Sequence, residues 1–201
     1  MKLFKQGEFM DTKLYLTVDD GPNLYTYPIA CILAEKKIKA TFFLTGTAIE
    51  KNVANMCATK NVFDLGHEIG NHGYVHNNLK HETPEAVERD ILATQRIILS
   101  VTGQLPTKFR PPYMQWNQDY NFILIKLNLK LNMNFIAIKD ATKKFIIDYG
   151  YATKMLIKHR IKKRELILLI HSRKHTLEGL HKLINWYEAK GCTFVDDEKI
   201  Y

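Results

Sequence analysis

Four short stretches of this 201-residue chain carry side chains able to do hydrolytic chemistry. Adjacent carboxylates, Asp19 and Asp20, sit in Thr17-Val18-Asp19-Asp20-Gly21-Pro22, and two imidazoles sit in Asn71-His72-Gly73-Tyr74-Val75-His76. A guanidinium opens Arg110-Pro111-Pro112-Tyr113, and a third imidazole closes Leu168-Leu169-Ile170-His171. Two histidines and a carboxylate suffice to hold a divalent ion at three positions and leave others open to water and substrate, as hydrolytic metal sites require. Asp20, His72 and His76 are the candidate ligands.

Taken singly, each stretch has a bland reading. Asp, Gly and Pro are ordinary turn residues; a His-x-x-x-His pair can be two unrelated polar side chains; Arg-Pro-Pro-Tyr can be a rigid loop; His171 can be a satisfied structural histidine. Their common address shifts the balance, because each follows an expected strand. In parallel α/β folds the carboxyl ends of the strands converge on one face, so positions far apart in sequence meet in one pocket.

The elements that would position them alternate along the chain, β-rich runs with helix-period runs, an α/β pattern. Strands are expected at Leu14–Val18, Ala40–Leu44, near Glu68-Ile69, near Phe109, within Met133–Ile138, at Leu166–Ile170 and at Cys192–Val195. A helix follows Pro22, with Ile29, Ile32 and Leu33 on it. The clearest helix starts at the N-cap Thr83, with Pro84 and Glu85 in its first turn, a stripe of Val87, Ile91, Thr94 and Ile98, and a stop at Gly103. Another carries Leu177, Leu180, Ile184 and Tyr187 and closes at Gly191. About seven strands mostly separated by helices predict a barrel-like or doubly wound sheet, one domain over residues 1–201.

As an ordered set, these four motifs resemble those of the NodB-type polysaccharide deacetylases, carbohydrate esterase family four. Lys39–Gly46, Gly66–Gly70 and Lys190–Val195 extend the resemblance over nearly all the chain. It implies a distorted, incomplete (β/α) barrel, the NodB homology domain, that removes acetyl groups from N-acetylated, sometimes O-acetylated, sugars with a divalent metal, usually zinc, with cobalt or another divalent ion also fitting. Carried over by residue, Asp20, His72 and His76 match the metal ligands, Asp19 the general base, Arg110 the group orienting it and His171 the general acid. The amide N–H of Tyr113 matches the oxyanion donor. Pro112, Tyr113 and Trp116 are the candidate sugar contacts, with Trp116 either a substitute aromatic platform or a buried packing residue.

Three departures from the family pattern stand out. Gly73 replaces a Ser or Thr, which removes a hydroxyl that would buttress the histidine loop and adds backbone freedom, at an expected cost to metal affinity. Met114 replaces a Gly after Arg-Pro-Pro-Tyr. The fourth family motif is degraded: Asp140 holds its first position, and Lys143, Lys144 and Phe145 occupy the rest.

The composition is that of a globular chain: 46% apolar, 25% charged, with ten Gly and six Pro. That excludes collagen-like and disordered classes. The apolar runs are too short for a membrane span. Residues 1–13 show neither an apolar h-region nor a small-residue cleavage site. The expectation is an intracellular protein, or one released by a non-classical route. Twenty-nine Lys+Arg against twenty-one Asp+Glu give +8, a field that draws anionic partners. The densest basic run, Lys158–Arg164, has no nucleic-acid fingerprint and reads as a solvated helix end, which disfavours nucleic acid. Cys31, Cys57 and Cys192 show no Cys-x-x-Cys spacing and are expected to be reduced packing residues. The expected partner is an acetylated chitin-, peptidoglycan- or xylan-like glycan. Two alternatives remain beside deacetylation: a catalytically impaired metal- and carbohydrate-binding protein on the same fold, and a hydrolase of small non-glycan amides.

Overall fold

A ten-residue strand, β1 (Thr12–Gly21), runs through the middle of a wholly parallel sheet. The structure, a computed structural model, describes residues 12–133, 135–138 and 165–196. After β1 come α1 (Thr26–Glu35), β2 (Ala40–Leu44), α2 (Gly46–Glu50), α3 (Val53–Asp64), β3 (Glu68–Asn71) and α4 (Pro84–Thr102). The chain continues through β4 (Lys108–Phe109), α5 (Asn121–Lys126), β5 (Lys130–Leu131), β6 (Ile136–Ala137), β7 (Glu165–His171), α6 (Lys174–Ala189) and β8 (Cys192–Phe194). Seven strands follow the order β5-β4-β3-β2-β1-β7-β6, and β8 pairs with Thr12–Leu14 at the start of β1.

Period-two alternation divides the sheet into two unlike faces. Leu14, Leu16 and Val18 of β1, Ala40, Phe42 and Leu44 of β2, and Leu166, Leu168 and Ile170 of β7 face outward. There they form the main core with Ile29, Ala30 and Leu33 of α1, Val62 of α3 and Leu180, Leu183 and Ile184 of α6. Each Val, Leu, Ile or Phe among them contributes about 1.5–3 kcal/mol on burial. A second cluster, Val87, Ile91, Phe109, Trp116, Ile123 and Leu124 among it, holds α4 and α5 against the β4 side.

The alternate positions, Tyr15, Thr17 and Asp19 on β1 with Thr41, Glu68, Lys108 and Arg110 on its neighbours, face inward and are largely polar. Their bonds prove that the sheet curls. β4 lies three places from β1, a distance of roughly 14 Å in a flat sheet, yet the Arg110 guanidinium donates to Asp19 Oδ1 at 2.6 Å. Lower on the same concave face, Lys108 pairs with Glu68, Thr41 Oγ1 donates to Glu68 Oε2 at 2.8 Å, and Tyr15 bonds Thr41. The fold is thus a curled half-barrel, in agreement with the expected incomplete barrel.

The helix bounded by Thr83 and Gly103 forms as its caps dictate: Thr83 Oγ1 accepts from the Ala86 amide at 3.3 Å, and Gly103 takes the left-handed φ of 79°. Cys192 is buried and Cys31 half-buried, but Cys57 is exposed on α3, so it is not the packing residue expected. Asp140, Lys143, Lys144 and Phe145 of the fourth motif, and the basic run 158–164, lie outside the described residues.

Candidate active site

In a regular strand Asp19 and Asp20 would point to opposite faces. Here three residues of β1 advance against two of β2 between Val18 and Gly21, a bulge at which Asp20 takes a φ of 63°. The extra residue turns Asp20 to the same side as Asp19. Asp19 Oδ2 and Asp20 Oδ1 each come within 3.8 Å of His72 Nε2, and Asp20 Oδ1 lies 3.2 Å from His76 Nε2.

His72 follows β3 directly, and its Nδ1 lies 2.7 Å from the Arg110 carbonyl. A carbonyl can only accept, so Nδ1 carries a proton; Nε2, which faces the carboxylates, carries the second proton of an imidazolium or, with an ion between them, would offer that ion its lone pair. The loop to His76 is held from two sides. Asn71 Oδ1 accepts from the Gly73 amide at 2.9 Å, and the Asp90 carboxylate on α4 accepts from the Tyr74 amide at 2.8 Å and the Val75 amide at 3.4 Å. From the other side, the Gly46 and Thr47 amides donate to the Gly73 and Tyr74 carbonyls at 3.0 and 2.9 Å. This corrects the expectation of a loosened loop at Gly73. Gly73 adopts φ 79°, and a Cβ there would stand 2.9 Å from Asp90 Oδ1, so the glycine makes room for the carboxylate that does the buttressing. Burial raises the pKa of Asp90 and the Glu82 charge adds to the rise, while the two loop amides oppose it. Asp90 was not singled out from sequence. Its signal was a carboxylate beside the apolar stripe of α4, three residues after Val87 and next to Ile91.

Arg110 is fully buried. Nη1 donates to Asp19 Oδ1 at 2.6 Å and to Thr17 Oγ1 at 2.9 Å, while Nη2 and Nε donate to the side chain and carbonyl of Asn132 at 2.6 and 3.3 Å. The guanidinium also lies 4.2 Å from the Phe43 ring centroid. Asn132, after β5, is a site residue with no sequence signal.

Beyond Arg110 the chain makes a single turn in which Tyr113 and Met114 both adopt left-handed φ, 56° and 58°. A glycine at position 114 would take that conformation without strain, which explains the family's preference there. The bonds closing the turn come from the Met114 and Gln115 amides, leaving the Tyr113 amide outside them. The Tyr113 side chain is 62% exposed, with its ring edge-on to His76 at 4.5 Å. Two candidate sugar contacts are corrected. Pro112 is buried against the histidine loop, and Trp116, 6% exposed, packs on Phe109 and donates from Nε1 to Asn121 Oδ1 at 2.9 Å. Both position the loop instead of presenting a face to ligand.

His171 ends β7 in register with Asp19. Adjacent parallel strands lie about 4.8 Å apart, so the imidazole stands next to the carboxylate pair, and its charge helps lower the pKa of Asp20. Burial works against that lowering; hydrogen bonds from His72 and His76, with the charges of His171 and His72, outweigh it and hold Asp20 well below the usual carboxylate range. Just past His171, Ser172 bonds Thr26 Oγ1 at 2.7 Å, and Asn23 Nδ2 donates to the carbonyls of both Asp20 and Ser172, at 3.0 and 2.9 Å, tying the β1 and β7 ends together.

The residues fit a divalent ion. Asp20, His72 and His76 each offer a ligand atom, all within 4.8 Å of one another, and a nitrogen–nitrogen–oxygen set suits a borderline ion such as zinc. With the acid pair, the buried arginine and a third histidine around it, the arrangement at the mouth of the parallel half-barrel is that of a metal-assisted hydrolase. The family model for polysaccharide deacetylase matches residues 6–132. The chain belongs to that family, the one its motifs resemble. A peptidoglycan-N-acetylglucosamine deacetylase of Bacillus cereus is 27% identical over 200 residues, 94% of this chain and 68% of the relative. The crystal structure of a peptidoglycan N-acetylglucosamine deacetylase with a bound N-hydroxybenzamide is 26% identical and superposes with a TM-score of 0.78 over 94% of this chain and 88% of that one. A mutant of a pseudoenzyme of carbohydrate esterase family four with restored activity is also 26% identical, with a TM-score of 0.78 over 91% of this chain and 65% of that one.

Proposed function

We propose that the protein hydrolyses the acetamide of an N-acetylated glycan of the peptidoglycan or chitin type, with zinc as the ion held by Asp20, His72 and His76. One observation carries the reading: Asp19 is fixed through Oδ1 to a buried arginine, while its Oδ2 points at the group of three ligand atoms. When bound, such an ion supplies Lewis acidity, polarising the acyl carbonyl and acidifying water. The chain supplies the rest. Asp19 Oδ2 takes the proton of the attacking water, and Arg110, with Thr17 and Asn132 behind it, holds that carboxylate in place and balances its charge. The Tyr113 amide donates to the oxygen on which negative charge grows. His171 gives a proton to the departing sugar amine, which is a very poor leaving group as an anion.

The names of the relatives support the glycan class, and the full acid, base and ligand set favours turnover over a binding-only role. The decisive experiment is mass spectrometry of acetylated chitin oligomers, peptidoglycan fragments and xylan incubated with zinc-loaded protein. Loss of one acetyl unit from a glucosamine-containing member is expected. Inertness on every glycan, with turnover of a small acetylated amide, overturns the proposal.

A further inference from the structure

Arg173 is in the wrong place for the helix it begins. It is the N-cap of α6, where Ser, Thr, Asp or Asn would cap the free amides, yet it makes no side-chain cap. Its cation stands at the positive end of the helix dipole, followed by Lys174 and with no acid in the first turn. Its Nε–H is buried with no hydrogen-bond partner among the described residues. Each feature is unfavourable to local structure, and a local rule broken without local compensation marks a residue serving something else. What Arg173 reaches is Asp20: Nη2 donates to Oδ2 at 2.9 Å.

We propose that Arg173 holds Asp20 to a one-oxygen ligand and weakens the site's grip on its divalent ion. The inference rests on the metal-site reading above. Asp20 divides its two oxygens, Oδ1 toward His76 and His72 and Oδ2 to the guanidinium. A cation on the far oxygen draws charge from the donor oxygen and repels an incoming dication, opposite in sign to the carboxylates that usually stand behind metal ligands and raise their basicity. An orienting role for Arg173 would act the other way, but Asp20 is already placed by its backbone, with φ 63° and its carbonyl tied to Asn23 Nδ2. The charge effect therefore outweighs the loss of support, and the ion stays exchangeable.

The test is a chelator-competition titration with Zn2+ on the full chain and on Arg173→Ser and Arg173→Gln. Both variants should bind about tenfold more tightly, at the low end of what residues behind metal ligands contribute. Arg173→Ser also gains a cap, so its Tm should rise by about 2–4 °C, which separates a tighter site from a damaged one. Unchanged or weaker binding in both variants, with one ion still bound by the wild-type chain, overturns the inference alone. Failure of the wild-type chain to take up Zn2+ overturns the metal reading and this inference with it.

Discussion

Asp19→Asn separates the two roles given to Asp19. The substitution keeps the shape of the side chain and removes its charge. Asp19 is 4% exposed and Arg110 is fully buried, so the substitution leaves a buried guanidinium without its counter-ion. Removing one partner of such a pair costs about 3–5 kcal/mol. The amide oxygen can still accept from Nη1, and Thr17 and Asn132 remain, which places the expected loss at the lower end, about 3 kcal/mol. For a chain of this size that is a fall in Tm of roughly 6–12 °C. Turnover should drop by about 100- to 10,000-fold with the general base gone. Zinc uptake should persist, because Asp20, His72 and His76 supply the ligand atoms. Acetate release, differential scanning fluorimetry and a zinc titration on one preparation read all three. Wild-type turnover in the variant would refute the base assignment; an unchanged Tm would refute the claim that the ion pair holds Arg110. In the companion double variant, Asp19→Asn with Arg110→Met, removing the stranded cation should recover part of the lost Tm.

Other perturbations follow from the same geometry. Gly73→Ala forces a left-handed alanine against Asp90 and should cost about 1–3 kcal/mol in thermal unfolding; an unaltered Tm would show that the loop does not depend on this fit. Asp90→Asn leaves one acceptor where two amides need one each, and zinc titration should show about tenfold weaker uptake. Trp116→Ala should cost about 3–5 kcal/mol as a core truncation, with KM for a glycan substrate unchanged; a selective rise in KM would restore the sugar-platform role. His67 is buried, with Nε2 on the Ala30 carbonyl at 3.0 Å. Burial lowers its pKa, Lys39 adds to the lowering, and the Ala30 bond opposes it. The unfolded chain therefore takes up this proton more readily than the folded one. The stability concerned is fully present above about pH 6.5, the ordinary histidine value, and is lost as pH falls below it. Between about pH 7.5 and 5.5 the wild-type Tm should fall further than that of His67→Gln, and equal falls would refute the assignment.

The parts of this fold legible from sequence are those with dense local signals. The helix from Pro84 to Thr102 carries a cap, a proline, an acid, a stripe and a terminal glycine, and β2 is a short apolar run at the bounds read for it. β1 extends beyond its apolar stretch because Thr12 and Lys13 gain partners in β8, a long-range fact with no local trace. β5, only Lys130–Leu131, is too short to show any period. In the site, alternation alone would separate Asp19 from Asp20; the family resemblance kept them together, and the bulge gives the physical reason. Asp90 and Asn132 act through other residues and belong to no motif, and Thr17, which opens the first motif, shows no role there until the Arg110 guanidinium is seen to reach it. Trp116 is open in the sequence between sugar platform and core, and the turn at Tyr113 and Met114 decides for the core by sending the two rings to different sides of the loop, one exposed beside His76 and one buried on Phe109.

The concave face also explains why the ion belongs where the ligand atoms converge. Its charges are neutralised in layers. Lys108 meets Glu68 at the base, and Arg110 meets Asp19 above them. Each carboxylate in those layers has a buried or half-buried cation of its own, and neither cation can leave without stranding its partner. Asp20, at the rim, differs. Its cation is Arg173, on a side chain 42% exposed, and the remaining neighbours are imidazoles whose nitrogens are ligand atoms. Of these three inward acids, Asp20 alone can take a metal ion on one oxygen while its protein cation keeps the other, with no buried charge exposed elsewhere. The lower layers fix the curl and the position of Asp19, and the weakly held outer cation leaves the last acid available for binding.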